Sequence, residues 1–374
     1  MKITPVKKSE YGDVMRFLEN VYGFSRGQFA LNYPQAWREE NFDAANTLGI
    51  REKGKLVSFV RVFPLRFIFG RATLSAGGIG AVATAPECRG RGHMSVLMEE
   101  AVRKMKRDGY AVSILGGDRY RYGNFGYENH GHTVFVTISS RGLAKSGVPA
   151  VAVKHYFGED VVLTRIMNAY QSHPCRAERT RSGFRARYER SGIAVYYAGS
   201  AREFGYLIVP PWGAPGGVLE FGGCPETVLG IAAHLAGRFS IESFTLEYPD
   251  FQSVPAAVLK AAWSWTTGPS GMLKILHLKK TLESYAGEIG PLFPDGAALT
   301  LSTVEETVGL EKKSRMLRVT AGGSGPAVVL DERQLVRLLF GLPGSLPPGV
   351  VPETRGVLKS IFPLPFLYWP LDRV

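Results

Sequence analysis

A chain of 374 residues is long enough for two or three ordinary domains, and its 45% hydrophobic and 21% charged content is that of a globular protein. No run approaches the roughly 18 apolar residues of a membrane span, the opening "MKITPVKKSEYG" lacks the apolar centre of a signal peptide, and Cys88, Cys175 and Cys224 form no metal-type pair. The expectation is a cytoplasmic protein with no membrane association. The +12 formal charge is concentrated, because residues 1–145 carry 22 Lys+Arg against 13 Asp+Glu. That suits a local polyanionic ligand better than a nucleic-acid-binding surface.

Taken in chain order, residues 1–18 read as strand, turn and helix, with Ser9 as N-cap ahead of "EYGDVMRFLENVYG". Lys55–Phe69 is rich in β-branched and aromatic residues and reads as two strands broken near Pro64. "GGIGAVATA" is a further strand, ending at Pro86. From Met94 the apolar positions Leu97, Met98, Ala101, Val102 and Met105 form the stripe of an amphipathic helix, closed by Gly109. Tyr110–Leu115 follows as a buried strand. A glycine-rich stretch, Gly142–Pro149, marks a boundary near residue 145. A second α/β region runs to about residue 270 and contains the helical "ETVLGIAAHLAGRF". The third opens on "GMLKILHLKKTLESYAG", a strand leading into a helix, and closes with the helix "DERQLVRLLFG" and a Pro- and aromatic-rich tail.

"TAPECRGRGHM" (Thr84–Met94) therefore lies between a strand and a helix N-terminus. Free N–H groups point outward there, the helix dipole favours an anion, and Gly90 and Gly92 let a ligand reach the backbone. A phosphate cradle and a plain basic turn are the two readings that this chemistry leaves open. Gly78-x-Gly80-x-x-Ala83 matches a dinucleotide fingerprint in form only, since it runs into a strand and a proline rather than a helix. His130 and His132 would share one face of a strand, but no third ligand accompanies them, so no metal is expected.

"VATAPECRGRGHMSVLMEEA" resembles the acetyl-CoA signature of the GNAT N-acetyltransferases, with Met94 in place of the last small residue. The order "AGGIGAVATAPECRGRGHM … GDRYRYGNFGYE" is similar to one branch, the enhanced intracellular survival family, whose Tyr-Gly-x-Phe-Gly-Tyr segment is here Tyr122–Tyr127. "MLKILHLKKTLESYA" and "LVRLLFG" resemble that family's sterol-carrier-protein-like domain. The fold class implied is α/β (α+β): tandem GNAT-type mixed sheets flanked by helices, then a sterol-carrier-protein-like α/β domain. Its parts would be an active GNAT domain (1–145), a degenerate second one (146–270) and the sterol-carrier-like domain (271–374). Lipid transport does not follow from the last of these.

The resemblance implies the site as well. Val82, Ala83 and Thr84 would pair with the pantetheine of acetyl-CoA. Arg89, Gly90, Arg91, Gly92, His93, Met94 and Ser95 would hold the pyrophosphate, and Gly117 and Asp118 would add a further cofactor contact. Tyr122 matches the family's proton donor, a phenol that stays protonated at neutral pH yet can give its proton to a nascent thiolate. Phe24 and Trp37, with Tyr33 nearby, lie where the family walls its acceptor pocket, and Glu39, Glu40 and Asp43 would stand at its mouth. The general base would be the C-terminal carboxylate, here of Val374, although the family's chains usually end in an aromatic residue. Arg373 would then be able to neutralise that carboxylate, and Asp372 to replace it. The partners implied are acetyl-CoA and a primary amine (polyamine-like, aminoglycoside-like or a lysine side chain), in a homo-oligomer, often a hexamer. The rival reading is a non-catalytic acyl-CoA-binding or sensing protein.

Overall fold

The computed structural model describes all residues except 1, 201, 211–216, 315, 345, 349 and 374. Among the described residues its α/β architecture has four sheets flanked by helices. In the first region lie β1 (Ile3–Pro5), β2 (Thr47–Glu52), β3 (Lys55–Phe69), β4 (Ala72–Thr84), β5 (Val112–Leu115), β6 (Glu128–His130) and β7 (Thr133–Ser139). There follow β8 (Lys154–His155), β9 (Cys175–Ala177), β10 (Ala194–Ala198), β11 (Gly205–Val209), β12 (Glu220–Gly223), β13 (Ser243–Tyr248), β14 (Ala262–Gly268) and β15 (Gly271–Ile275). The last four are β16 (Ala298–Ser302), β17 (Thr307–Lys313), β18 (Met316–Ala321) and β19 (Ala327–Val329).

The largest sheet runs β1-β2-β3-β4-β5-β15-β6, with β9 pairing on β3; β8, β10, β11 and β12 form a second, β13-β7-β14 a third and β16–β19 a fourth. Two pairings join distant segments. Strand β15 lies between β5 and β6, and β7 pairs with both β13 and β14. The sheets thus bind the first region to the sequence beyond residue 240.

Two local expectations are corrected. Lys55–Phe69 is one continuous strand, in which Pro64 stands opposite Gly77 of β4. On its other edge β2 pairs no further than Arg61 and β9 begins only at Phe67, so the N–H that proline lacks is not needed there. Ser9 lies within a short 3-10 turn, Lys8–Glu10, and the helix Tyr11–Tyr22 is preceded by Glu10, whose carboxylate accepts from the Lys7 N–H at 2.7 Å. The helix His93–Arg107, by contrast, buries the expected stripe Leu97, Met98, Ala101 and Met105. It crosses β4 at Gly77, where a Cβ would come within 2.3 Å of the Met105 sulfur. Gly77 of this segment therefore serves helix–sheet packing.

One buried carboxylate joins the two ends of the chain. Glu128 of β6 is 1% exposed and accepts from Arg119 (Nη2, 2.7 Å), Arg333 (Nη2, 2.9 Å) and Arg337 (Nη1, 2.8 Å). Arg119 begins the short helix Arg119–Tyr122, while Arg333 and Arg337 lie on the helix Glu332–Phe340. Between them Gly126 has φ +81°, a left-handed conformation that favours glycine, with the Glu332 carboxylate and the Lys274 ammonium close by. Burial alone would raise the Glu128 carboxyl, but hydrogen bonds from Arg119, Asn129 and Arg333 overcome it and hold it at about 2. A carboxyl depressed from an ordinary 4.5 stabilises the fold above that value and loses its contribution as pH falls from 4.5 toward 2. Glu128→Gln is expected to lower stability at pH 7 by about 3 kcal/mol and to flatten the loss of Tm over that acidic range. An unchanged Tm at pH 7 would contradict this role.

Candidate active site

The site begins where two parallel strands part. Strands β4 and β5 pair from Ala76↔Val112 to Ile79↔Leu115, after which β4 continues alone to Thr84 along β3. A bulge accompanies the parting: the β3–β4 register shifts between Phe59 and Arg61, and Ala81 has φ +52°. Val82, Ala83 and Thr84 lie beyond the split, with no strand on the β5 side. The Ala83 carbonyl accepts from the Ser58 hydroxyl (3.0 Å), and the Thr84 carbonyl from Arg89 Nε (3.3 Å).

From Thr84 the chain turns through Pro86–Cys88 into the helix His93–Arg107. Gly90 and Gly92 take φ +74° and +78°, and a Cβ on either would meet no atom within 4 Å. The glycines thus combine left-handed backbone with open space, which is what close approach of a ligand to the main chain requires. Gly92 is the N-cap, and no side chain caps this helix, leaving its first-turn N–H groups for an outside acceptor. Arg89, Arg91 and Ser95 are exposed and Met94 is half-buried. Arg91 is steered by Glu52 (3.3 Å) and by the Glu87 carbonyl (3.0 Å). The His93 side chain points elsewhere: it is 3% exposed, with Nε2 3.3 Å from Glu52, so only its backbone belongs to the cradle.

Beyond β5, Gly117 lies under the Tyr122 ring, where a Cβ would come within 2.4 Å of it. The Asp118 carboxylate accepts from the Tyr120 N–H at 2.8 Å and starts the helix that carries Tyr122. Tyr122 is 8% exposed and shares one apolar cluster with Val82, Met94, Leu115 and Tyr127. Burial raises its phenol above the ordinary value, against an opposing effect of Arg121. The phenol is therefore protonated at neutral pH. The strand end, the start of the helix His93–Arg107 and Tyr122 meet in this cluster.

The aromatic residues form a wall with a core behind it. Phe24, half-buried, packs on Phe29 (5.6 Å between centroids), which in turn meets Trp37 at 5.0 Å. Trp37 is 3% exposed and has Arg61 over its ring at 4.7 Å, so it backs the wall rather than facing a ligand. Glu39 and Glu40 are exposed, and Asp43 accepts from Asn46. His130 is also in the core, its ring edge-on to Phe366 at 4.6 Å, and burial lowers it to about 3. Among the described residues no group of three His, Cys, Asp or Glu is placed to hold a metal.

Val374 lies outside the described residues. Two positions earlier, Asp372 is wholly buried and accepts from Arg179 (2.8 and 2.6 Å) and Tyr170 (3.1 Å). Burial would raise its carboxyl, but Arg179 and Arg187 hold it below the ordinary range. This makes Asp372 an anchor for the tail and a poor base. Arg373 donates to Glu247 at 2.9 Å.

A family model described as "Acetyltransferase (GNAT) domain" matches residues 2–129, the segment that holds the split strand, the cradle and Tyr122. Residues 2–129 are a GNAT acetyltransferase domain. The whole chain also has the fold of solved relatives. A GCN5-related N-acetyltransferase from Kribbella flavida matches at TM-score 0.73 and 19% identity, over 100% of this chain and 98% of its own. A second, from Anabaena variabilis, matches at 0.71 and 19%, and Eis1 from Mycobacterium abscessus at 0.70 and 13%, each over 100% of both chains. No curated protein matches the chain.

Two residues of the GNAT domain escape sequence reasoning. Glu52 joins Arg91 to His93 from a neighbouring strand, and no spacing announces that. Tyr22, last in its helix, donates to the Val82 carbonyl at 3.2 Å across 60 residues of sequence. GNAT domains use acetyl-CoA as co-substrate, and the uncapped helix with its two open glycines fits a pyrophosphate. Acetyl-CoA at a hundred times its dissociation constant is expected to stabilise the protein by about 2.7 kcal/mol, read as a rise in Tm. Gly92→Val should abolish that rise, because it opposes a positive φ and fills the approach. A rise that survives the substitution would rule out the cradle.

Proposed function

We propose that this enzyme transfers the acetyl group of acetyl-CoA to a primary amine, with Tyr122 as the general acid. The observation that carries the reading is the convergence of three features in one cluster: the strand end Val82–Thr84, the uncapped turn Arg89–Ser95 and a buried, protonated phenol. The neutral amine attacks the thioester carbonyl, a C–N bond forms, the C–S bond breaks, the departing sulfur takes the proton of Tyr122, and the proton lost from the attacking nitrogen returns to the phenolate. Donor groups along the split strand and the cradle fix the thioester relative to the phenol, and the aromatic wall around Phe24 faces the acceptor side. Acetylation of a small polyamine-like or aminoglycoside-like molecule, or of a lysine side chain, is the corresponding substrate class.

The finer organisation that we propose is a second, degenerate GNAT unit over 146–270 and a sterol-carrier-protein-like unit over 271–374. It is supported by full-length similarity of fold to Eis1 from Mycobacterium abscessus. In this arrangement the terminal carboxylate of Val374 takes the proton of the incoming ammonium. Two neighbouring observations favour it: Asp372 anchors the tail, and Arg373 donates to Glu247.

Tyr122→Phe keeps the ring and removes the proton. Acetyl-CoA affinity should survive while kcat falls about 10²-fold or more, measured by release of free CoA thiol with a panel of amines. Lost affinity with kcat intact would make Tyr122 a packing residue instead. Separately, a few residues appended after Val374 should suppress turnover strongly and leave acetyl-CoA binding unchanged, whereas an N-terminal tag should do neither. Full activity in the extended protein would remove the terminal base from the mechanism.

A further inference from the structure

The glycines that open the turn before the helix His93–Arg107 also leave it with little packing of its own. Gly90 and Gly92 have positive φ, and a Cβ on either would meet nothing within 4 Å. What holds the turn in shape comes from another element. Glu52 is the last residue of β2 and pairs with Lys55 across a hairpin turn in which Lys53 and Gly54 have φ +48° and +77°. A two-residue turn with positive φ at both positions matches the twist of its strands, so the carboxylate is presented from a firm base. It meets the glycine turn at three positions. The Cys88 thiol donates to its Oε2 at 3.9 Å, Arg91 Nη1 donates to Oε2 at 3.3 Å, and His93 Nε2 stands 3.3 Å from Oε1. Cys88 and His93 are buried on either side of the two glycines, whereas Arg91 is exposed. One carboxylate thus ties the exposed guanidinium to two buried points of the turn.

Arg91 is held at both terminal nitrogens, Nη1 by Glu52 and Nη2 by the Glu87 carbonyl at 3.0 Å. A guanidinium has five N–H groups, so the side chain is fixed and still has donors for a phosphate. Ordering a long side chain opposes binding unless it is ordered beforehand. A carboxylate beside a polyanion site also acts in the opposite sense, because it repels the phosphates. We propose that Glu52 is a positioning residue for acetyl-CoA: through Arg91 it sets the turn in its phosphate-binding shape before the cofactor arrives, and this ordering outweighs the repulsion. This rests on the reading of Arg89–Ser95 as the phosphate cradle.

Glu52→Gln keeps the size of the side chain but offers Arg91 an uncharged acceptor in place of a carboxylate. Titration calorimetry at pH 7 should show acetyl-CoA binding about 3- to 10-fold weaker, the effect of leaving one long side chain to be ordered on binding. Unchanged or tighter binding overturns the proposal, because removing a carboxylate that only repels would improve affinity. With the amine found by the thiol-release panel, KM for acetyl-CoA should rise by a similar factor at unchanged kcat, since Tyr122 is carried by a different element. A fall in kcat with KM unchanged overturns it as well. A cycle with Arg91→Gln tests the route. Without Arg91 only the repulsion remains, so adding Glu52→Gln to Arg91→Gln should cause no further loss of affinity. An equal loss in both backgrounds would show that Glu52 does not act through Arg91, and the proposal falls. Gly92→Val measured in parallel separates the two levels. If it leaves acetyl-CoA binding intact, the cradle reading fails and the role of Glu52 with it; if it abolishes binding while Glu52→Gln leaves affinity unchanged, only the role of Glu52 fails.

Discussion

The geometry of the reaction site depends on one ionic interaction, the burial of Glu128 among Arg119, Arg333 and Arg337. A carboxylate with 1% exposure is tolerable only when its oxygens are filled with charged donors, and here the donors come from opposite ends of the chain. Arg119 opens the four-residue helix that ends in Tyr122, and a helix that short has no stability of its own. Its orientation is set by Glu128, by the Asp118 cap and by the ring packing of Tyr122 on Gly117. The last third of the chain therefore positions Tyr122 of the first third. Strand β15, inserted between β5 and β6, joins the same two regions through the sheet.

Electrostatics divide the site into two halves with opposite requirements. The cradle half presents backbone N–H groups and the exposed guanidinium groups of Arg89 and Arg91, suited to a polyanion that arrives from water. The chemical half is apolar and holds two phenols, Tyr122 and Tyr22, that burial keeps neutral. A proton donor for a thiolate benefits from that separation: it is not titrated by the phosphates, and it carries no charge that the thioester must approach. Anchoring of the tail follows the same logic at a third place. Arg179, itself without exposure, bridges Asp372 and Glu220, Arg187 adds a second positive charge 3.0 Å from Asp372, and the cluster fixes the tail against the middle of the chain.

The glycine turn between β4 and the helix His93–Arg107 was legible in the sequence because its physics is local. Two glycines with positive φ, a strand before them and an apolar stripe after them all lie within about twenty-five residues. The fold class was legible for the same reason, from periodicity and from the family resemblance. Pro64 misled because a proline interrupts a strand only where its N–H is needed, and which edge is paired is a tertiary fact. The Glu128 cluster was illegible because its partners are up to 209 residues apart. Tyr22 escaped notice as one tyrosine among 16, its role decided by a carbonyl on another element. That Trp37 lies buried behind Phe29 was not legible either, since only packing tells the front of an aromatic group from its back.

The central claim is that acetyl transfer to an amine takes place at the junction of β4, the cradle and Tyr122. Its most direct measurement incubates the unmodified protein with acetyl-CoA and a panel of primary amines, and quantifies free CoA thiol and N-acetylated product together. The expected result is one thiol released per acetyl group found on nitrogen, for at least one amine and only with active protein. Tight acetyl-CoA binding with no N-acetylated product from any amine would contradict the claim and leave a protein that binds acyl-CoA without turning it over.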